Sequence, residues 1–435
     1  MKAAKQQEYG MNARVWYSLY ERLLHADVLE AAFKKVKSSN GAPGIDGQSC
    51  KNFALNRMDE IAVLLDELRT KTYRPSPVRR VELEKEDGGI RLIGIPTVRD
   101  RVVQQALKMA IEPIFEAQFS DGSYGYRPGR CPQQAVAHAV ELMREQGLEH
   151  VVDMDLSKCF DRLDHDLILE AVKRRITDGS ILALIRMFLQ SGVMDAGSWE
   201  PTETGSPQGG VISPLLANIY LDGFDQTMKR RGHEVIRYAD DILIFKGSRK
   251  GAENALKVAT EVLEKELKLT VNERKTHLAN LDEGVAYLGF KLFRSYILIK
   301  EGKVERLKEK LKTATRRNTP VNLDKVIRDI NPILRGFVNY YKMAKCKKVL
   351  GNLMGWLRRR LRAIQMKLWK KPAKLHRRLR QLGYKGDFKK IKMGSWRNAA
   401  CQQSSMAMPN RWFVEKGLFQ FHEIETGKLP PVIRG

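Results

Sequence analysis

Cysteine is scarce in this chain. There are five among 435 residues (Cys50, Cys131, Cys159, Cys346, Cys401), scattered and without a Cys-x-x-Cys pair. That excludes a disulfide framework and a structural zinc site, and it points to a reducing, cytoplasmic setting. Histidine is thin as well, at 8, so no His/Cys cluster offers a transition-metal site. No stretch reaches the roughly 18 apolar residues of a membrane span, and the N-terminus has no signal-peptide apolar segment, so no membrane partner is expected. Internal repeats and low-complexity tracts are absent.

Acid is what the second part of the chain lacks. Residues 301–435 hold 34 Lys+Arg against 9 Asp+Glu, whereas residues 1–300 hold 43 against 42, although the whole chain is +26. A nearly neutral front joined to a strongly basic back reads as an enzyme-like module followed by a module for a polyanion. Apolar residues make up 43%, enough for a globular protein, and the length suits two or three domains.

Hydrophobic periodicity predicts helices over 11–37 and 54–70 around a Gly/Pro-rich loop at 38–50. Strands at 77–84 and 90–95 flank a turn at 85–89. Helices follow at 99–116 and 132–146, then a strand at 150–156, helices at 164–175, 178–190 and 214–230, a hairpin over 235–245, a helix at 250–267 and a strand at 287–292. Helices at 303–318, 323–345 and 350–371 come next, and the basic stretch from 374 is less regular. The 350–371 helix sets Leu353, Trp356, Leu357, Leu361, Ile364 and Leu368 on one face, with Arg358, Arg359, Arg362 and Lys370 elsewhere.

Two acidic strands carry the chemistry. In Val235-Ile-Arg-Tyr-Ala-Asp-Asp-Ile-Leu-Ile-Phe245, adjacent carboxylates sit on the turn between apolar runs. Alone, such a pair is also ordinary turn chemistry. The strand His150-Val-Val-Asp-Met-Asp155 puts Asp153 and Asp155 on one face, because strand side chains alternate. Asp155 with Asp240 and Asp241 supplies hard oxygen ligands for two Mg²⁺ ions, with Mn²⁺ as a substitute, clamping an in-line phosphoryl transfer. Asp241 is the less secure ligand of the adjacent pair, since neighbouring side chains on an extended backbone point apart.

Other segments are ambiguous alone. Gly205-Ser-Pro-Gln-Gly-Gly-Val-Ile-Ser-Pro214 is either a generic loop before a helix or a close approach to a ligand, with Gln208 facing a base or sugar. Lys85 and Arg91 flank the first hairpin tip, where they could grip a triphosphate or simply be solvated. Tyr124-Gly-Tyr-Arg-Pro-Gly-Arg130 mixes rings and bases as a nucleic-acid groove does, with Arg127 and Arg130 as contacts, or as a surface loop does.

In order, these segments resemble the bacterial group II intron reverse transcriptases (maturases). Asn40-Gly-Ala-Pro-Gly-Ile-Asp-Gly47 is similar to their N-terminal extension motif. Tyr73 to Arg80 with Arg91 to Thr97, and Phe119 to Arg130, resemble the fingers motifs. Asp153 to Asp161, Ser206 to Leu216, Tyr238 to Asp241, Leu269 to Lys275 and Tyr287 to Phe290 resemble the palm motifs. Arg335 to Tyr341 and Gly355 to Arg360 resemble the helical thumb, or domain X, and Gly394-Ser-Trp-Arg397 a later maturase motif.

The resemblance implies an α+β right-hand polymerase. Its parts would be an N-terminal extension (1–50), fingers and palm with an antiparallel sheet (51–295), an all-helical thumb (296–372) and a basic nucleic-acid-binding region (373–435). It implies Asp155, Asp240 and Asp241 as the catalytic metal triad. Lys85, Arg91, Gln208 and Lys275 fall at nucleotide-binding positions and Phe160 at the steric gate against a 2′-OH, although a ring at a helix start is also an ordinary core residue. Arg358, Arg359, Arg362 and Arg397 join Arg127 and Arg130 as nucleic-acid contacts. The expected partners are structured intron RNA, an RNA template, a DNA primer and dNTPs, with no obligatory protein partner, in a bacterial ribonucleoprotein. The missing His-rich and Cys-x-x-Cys pairs make it similar to the endonuclease-lacking, class C-like lineage. An RNA-binding splicing cofactor with a vestigial polymerase is the alternative, but all three carboxylates are present. A reverse transcriptase turned to DNA repair or phage defence shares the same active site.

Overall fold

The computed structural model describes residues 14–433 apart from 85–87, 196–197, 207–208 and 319–320. The chain divides into two compact units, one running to Ala279 together with 432–435, the other Asn280–Pro431.

In the first unit the expected helix over 11–37 is interrupted. Trp16 makes a parallel bridge with Ile176, a 3-10 turn covers Tyr20–Leu23, and the helix proper is Ala26–Ser39. The Asp178 carboxylate explains the break. It caps the helix Gly179–Leu189 and also accepts the backbone N–H groups of Leu19 (2.7 Å) and Tyr20 (2.8 Å), drawing these donors out of any helical ladder.

Leu29, Ala32, Phe33 and Val36 recur at helical spacing and are buried, and the helix packs on Val98–Glu116. Each fully buried large apolar side chain contributes about 1.5–3 kcal/mol. The following Gly41–Gly44 segment is bound by Arg101, which donates to the Ala42 carbonyl (2.8 Å), and by Arg79, which donates to Pro43 (2.9 and 3.1 Å). A Cβ on Gly44 would lie 2.7 Å from the Thr97 backbone. The motif over 40–47 is therefore a docking loop that needs glycine to seat against a helix start.

Strands β1 (Val78–Glu84) and β2 (Ile90–Ile95) form the expected hairpin, with Glu84 opposite Ile90. Two three-residue strands that periodicity does not reveal, β4 (Val193–Asp195) and β5 (Ser198–Glu200), extend it in the order β2-β1-β4-β5.

The central sheet has the order β6-β7-β3-β8, built from β3 (His150–Asp155), β6 (Glu234–Tyr238), β7 (Asp241–Lys246) and β8 (His277–Asn280). The helix Arg249–Glu261 packs on β3 and β7, and Pro132–Arg144 and Ser213–Arg230 pack on β6. Val152, Met154, Ile242 and Ile244 enter the core, so by strand alternation Asp153, Asp155 and Asp241 share the opposite face.

The second unit opens with a three-stranded sheet of order β11-β10-β9, made of β9 (Val285–Tyr287), β10 (Phe290–Leu292) and β11 (Ile297–Ile299). The single strand expected over 287–292 is a tight hairpin instead, because Leu288 and Gly289 both take positive φ (46° and 81°). A Cβ on Gly289 would lie 2.8 Å from the Tyr341 hydroxyl, Phe290 stacks on Tyr340 at 5.6 Å, and the Tyr340 hydroxyl donates to the Leu288 carbonyl (3.0 Å). This sheet thus packs with the helix Leu323–Tyr341, and the two compact units divide at 279/280.

The helices Lys303–Ala314, Leu323–Tyr341, Lys347–Trp369 and Pro372–Gln381 follow. Beyond them the chain wraps back on Lys347–Trp369, burying Ala407, Phe413 and Phe421. Among the described residues no helix is long and apolar enough to cross a membrane.

Candidate active site

The antiparallel register of β3 and β7 sets Asp155 opposite Asp241. Asp240 sits on the turn between β6 and β7, after Ala239, which takes φ 59°. Asp240 is held above the usual carboxylate range, by burial first and then by the Asp155 charge, with Arg91 and Arg237 opposing. Asp241, open to solvent on one face and crowded elsewhere, is pushed up to about 7 by desolvation, then by Asp240, Asp155 and Asp153, with Lys275 pulling down. With Asp155 raising Asp240, and both raising Asp241, the three carboxylates form an anionic focus short of positive charge.

Asp155 is held in place from the segment before β8. The Asn272 side-chain amide donates to its Oδ2 (2.9 Å), Lys275 Nζ stands 3.6 Å from the same oxygen, and the Asn272 backbone N–H donates to the Asp155 carbonyl (2.8 Å). Lys275 is therefore beside the carboxylates, as the motif order implies. Arg91 is exposed on β2, and its charge reaches both Asp240 and Tyr126. Lys85 and Gln208 lie outside the described residues.

Among the described residues no three His, Cys, Asp or Glu side chains converge to ligating distance. The donor set still fits a hard divalent cation. Mg²⁺ takes one or two protein carboxylates and completes its octahedron with water and substrate phosphate, so no closed protein cage is required.

Phe160 lies half-buried on the 3-10 turn Cys159–Arg162, and its ring meets that of Tyr126 edge-on, centroids 6.3 Å apart. Tyr126 takes φ 58°, stays 52% exposed, and has its hydroxyl pKa raised by desolvation and then by Asp240. Sequence reasoning missed it, although an exposed ring in left-handed backbone is a signal of function.

The described residues of the 205–214 loop pack on protein. Ser206 donates its N–H to the Phe160 carbonyl (2.8 Å), and a Cβ on Gly209 would lie 2.5 Å from the Gly94 carbonyl. Gly205 and Gly209 thus bring the Phe160 turn and β2 together, a close approach of backbone to backbone.

Arg237 was also missed, yet a lone arginine inside an apolar strand demands a buried partner. It is fully buried. Its Nε and Nη2 grip Asp225 (2.6–3.0 Å), Nη1 donates to Asn218 Oδ1 (3.0 Å) and to the Ala239 carbonyl (3.1 Å), and Nη2 donates to Ser123 Oγ (2.9 Å). Asn218 in turn donates to the Gly125 carbonyl (2.8 Å), and a Cβ on Gly125 would lie 2.3 Å from Ala239 N. One guanidinium thus ties the aspartate turn to the loop carrying Tyr126.

Several expected nucleic-acid contacts are engaged elsewhere. Arg127 is buried, bonded to Glu116 (2.9 Å) and to the carbonyls of Ser120 and Ser123 (2.7 and 2.8 Å). Arg130 donates to the Asp121 carbonyl (2.7 Å) and covers Tyr124. Both staple the 119–130 loop and do not offer a groove.

In the second unit Arg358 is buried against Gln420 (2.9 Å), Arg359 lies over Trp396, and Arg362 donates to the Met408 carbonyl (3.1 Å) beside Phe413. They pack the C-terminal segment onto its helix, whereas Arg397 is exposed. Arg358→Ala is therefore expected to lower the melting temperature by several degrees, at roughly 2–4 °C per kcal/mol lost, without changing the salt dependence of RNA binding. A fall in salt slope of roughly 0.7–0.9 at constant melting temperature would return Arg358 to the binding surface.

Residues 83–292 match the family described as reverse transcriptase (RNA-dependent DNA polymerase), and residues 304–383 match the group II intron, maturase-specific domain. The chain is 36% identical to Protein YkfC of Escherichia coli (strain K12) over 309 residues, covering 61% of this chain and 80% of that protein. It is 27% identical to the group II intron-encoded protein LtrA of Lactococcus lactis subsp. cremoris over 362 residues, covering 67% of this chain and 59% of LtrA. Among solved structures, telomerase from Candida albicans in complex with a fragment of telomeric RNA matches 72% of this chain and 63% of its own at a TM-score of 0.42 and 12% identity.

Proposed function

This chain belongs to the group II intron reverse transcriptases, RNA-directed DNA polymerases with a maturase domain, and from that membership we propose that it copies RNA with dNTPs from a DNA primer while its basic second unit holds intron RNA for splicing and retrohoming. Such a role suits a bacterial cytoplasmic ribonucleoprotein. The observation that carries the polymerase reading is the facing of Asp155 and Asp241 across β3 and β7, with Asp240 on the adjoining turn.

Polymerases of this kind depend on a metal. Here Asp155, Asp240 and Asp241 would hold two Mg²⁺ ions, which activate the attacking oxygen and neutralise the leaving phosphate. The residues do the positioning. Asn272 and Lys275 orient Asp155, Arg91 offers a guanidinium to the triphosphate, and Phe160 packs against the sugar. An aromatic edge at C2′ rejects a 2′-hydroxyl by overlap, and Tyr126 braces that ring.

Primer extension on matched RNA and DNA templates, with dNTPs or NTPs, tests the reading. Extension of a DNA primer on RNA with dNTPs supports it, and extension with NTPs alone sinks it. In the same assay Phe160→Ala is expected to raise ribonucleotide incorporation by tenfold or more. Unchanged discrimination would assign Phe160 to the core.

A further inference from the structure

Gly394-Ser-Trp-Arg397 has no task in the chemistry above, yet Trp396 lines a pocket of about 470 Å³ with Thr315, Arg316, Arg317, Asn318 and Arg360. The whole pocket lies within the second unit. Its volume suits a single nucleotide, since small-ligand sites run from about 300 to 1,000 Å³.

The composition of the lining is one-sided. It holds three guanidinium groups and, among the described residues, no carboxylate. Arg317 is anchored to the Gly394 carbonyl (2.6 Å), and Arg360 donates to Thr315 Oγ1 (2.7 Å) and to the Thr315 and Lys312 carbonyls (3.0 and 3.2 Å). Lys367 hydrogen-bonds Asn318, bringing another cation. All the anchors are neutral, so the positive charge stays uncompensated. Burial accordingly lowers the pKa of Arg360. The Trp396 ring is flanked by Arg359 (5.1 Å) and Arg360 (5.5 Å), and Arg359 Nε is buried without a hydrogen-bond partner. Arg316 is exposed at the rim.

An aromatic plane supported by guanidiniums, a side-chain amide and a cationic wall is the chemistry that binds an unpaired nucleotide. The ring stacks the base, the amide meets its edge, and the arginines meet the phosphate. We propose that the Arg316–Arg317–Arg360–Trp396 pocket captures one unpaired, phosphorylated nucleotide of a single-stranded nucleic acid, apart from the polymerase site. This rests on the proposed role of the second unit in holding nucleic acid, which it deepens, and not on the polymerase reading.

The test measures binding of the full chain to fluorescent single-stranded RNA and DNA ten-mers and to an RNA duplex, with AMP and inorganic phosphate as competitors. Trp396→Leu and Arg316→Glu are each expected to weaken single-strand binding by about tenfold, and Trp396→Phe to stay within about twofold of wild type. AMP should compete better than phosphate. RNA bound more tightly than DNA assigns the pocket to ribose-bearing strands, and equal affinity assigns it to the shared nucleotide chemistry. Both outcomes support the proposal.

Unchanged binding in Arg316→Glu, a preference for duplex over single strand, or phosphate competing as well as AMP overturns it. Loss in Trp396→Phe equal to that in Trp396→Leu also overturns it, because stacking would then not be the contribution measured. Asp240→Ala should bind the ten-mers as wild type does, so failure of the pocket and failure of the polymerase assignment are distinguishable.

Discussion

Asp240→Asn is expected to reduce DNA synthesis on an RNA template by about 10³-fold or more, on the order of 4 kcal/mol of transition-state stabilisation, while RNA affinity holds within about twofold. The substitution is nearly isosteric, so it tests charge and not shape. Asp240 occupies the turn between β6 and β7, with its carboxylate raised by burial and by Asp155. Removing that charge removes an anionic ligand and also relieves repulsion on Asp241. Activity and stability should therefore move in opposite directions, with the melting temperature of the metal-free variant equal to or above that of wild type. Synthesis within tenfold of wild type would falsify the assignment of Asp240. A lowered melting temperature with matching loss of RNA binding would make it a folding residue instead.

How far this site can be read from sequence follows from the range of the interactions involved. The carboxylates of Asp153, Asp155 and Asp241 were legible because strand alternation is local, and two apolar strands interrupted by acid have few benign explanations. The register that sets Asp155 against Asp241 is a tertiary fact that the same pattern only permits. Arg358 and Arg362 were misjudged because helical periodicity recognises one apolar face. In the fold the far face of that helix is covered as well, by Phe413, Phe421 and Gln420 from a segment too irregular to show a period. Arg127 was misjudged for the opposite reason. Its ring-and-base neighbourhood resembles a groove, but Glu116 and two carbonyls eleven or fewer residues away absorb every bond it offers. The strands β4 and β5 were invisible because three residues cannot display alternation. The helix expected at 11–37 starts only at Ala26, because a carboxylate more than 150 residues along the chain, Asp178, takes the N–H groups of Leu19 and Tyr20.

The second large effect is expected at Arg237. Arg237→Met should destabilise the protein by about 3–5 kcal/mol, because it leaves Asp225 buried and uncompensated. Asp222 compounds the cost: it is already pushed up to about 6 by desolvation and by the Asp225 charge, with Arg237 opposing. A carboxyl raised in the fold above its unfolded value of about 3.9 favours folding below that value and loses the contribution as pH rises through its folded pKa. Without the guanidinium Asp222 shifts further up, so the deficit of Arg237→Met should be largest at pH 7 and shrink towards pH 5.

Stability alone does not define the role of Arg237, because the same guanidinium holds the Ala239 carbonyl, Asn218 and Ser123. The double variant Arg237→Met/Asp225→Leu separates the two. Replacing a buried ion pair by apolar groups is often neutral or stabilising, so folding should return. The turn that presents Asp240 stays unheld, and a misplacement of about 1 Å can cost roughly 10²-fold. We therefore expect kcat to remain about 10²-fold down in the refolded double variant, with KM for dNTP changed less than threefold. Arg237→Lys should rescue little, since a point ammonium with three donors cannot reproduce a planar fork bonded to four groups. Full kcat in the double variant would reduce Arg237 to a stabilising ion pair. Persistent loss would make it the residue through which the fold positions Asp240.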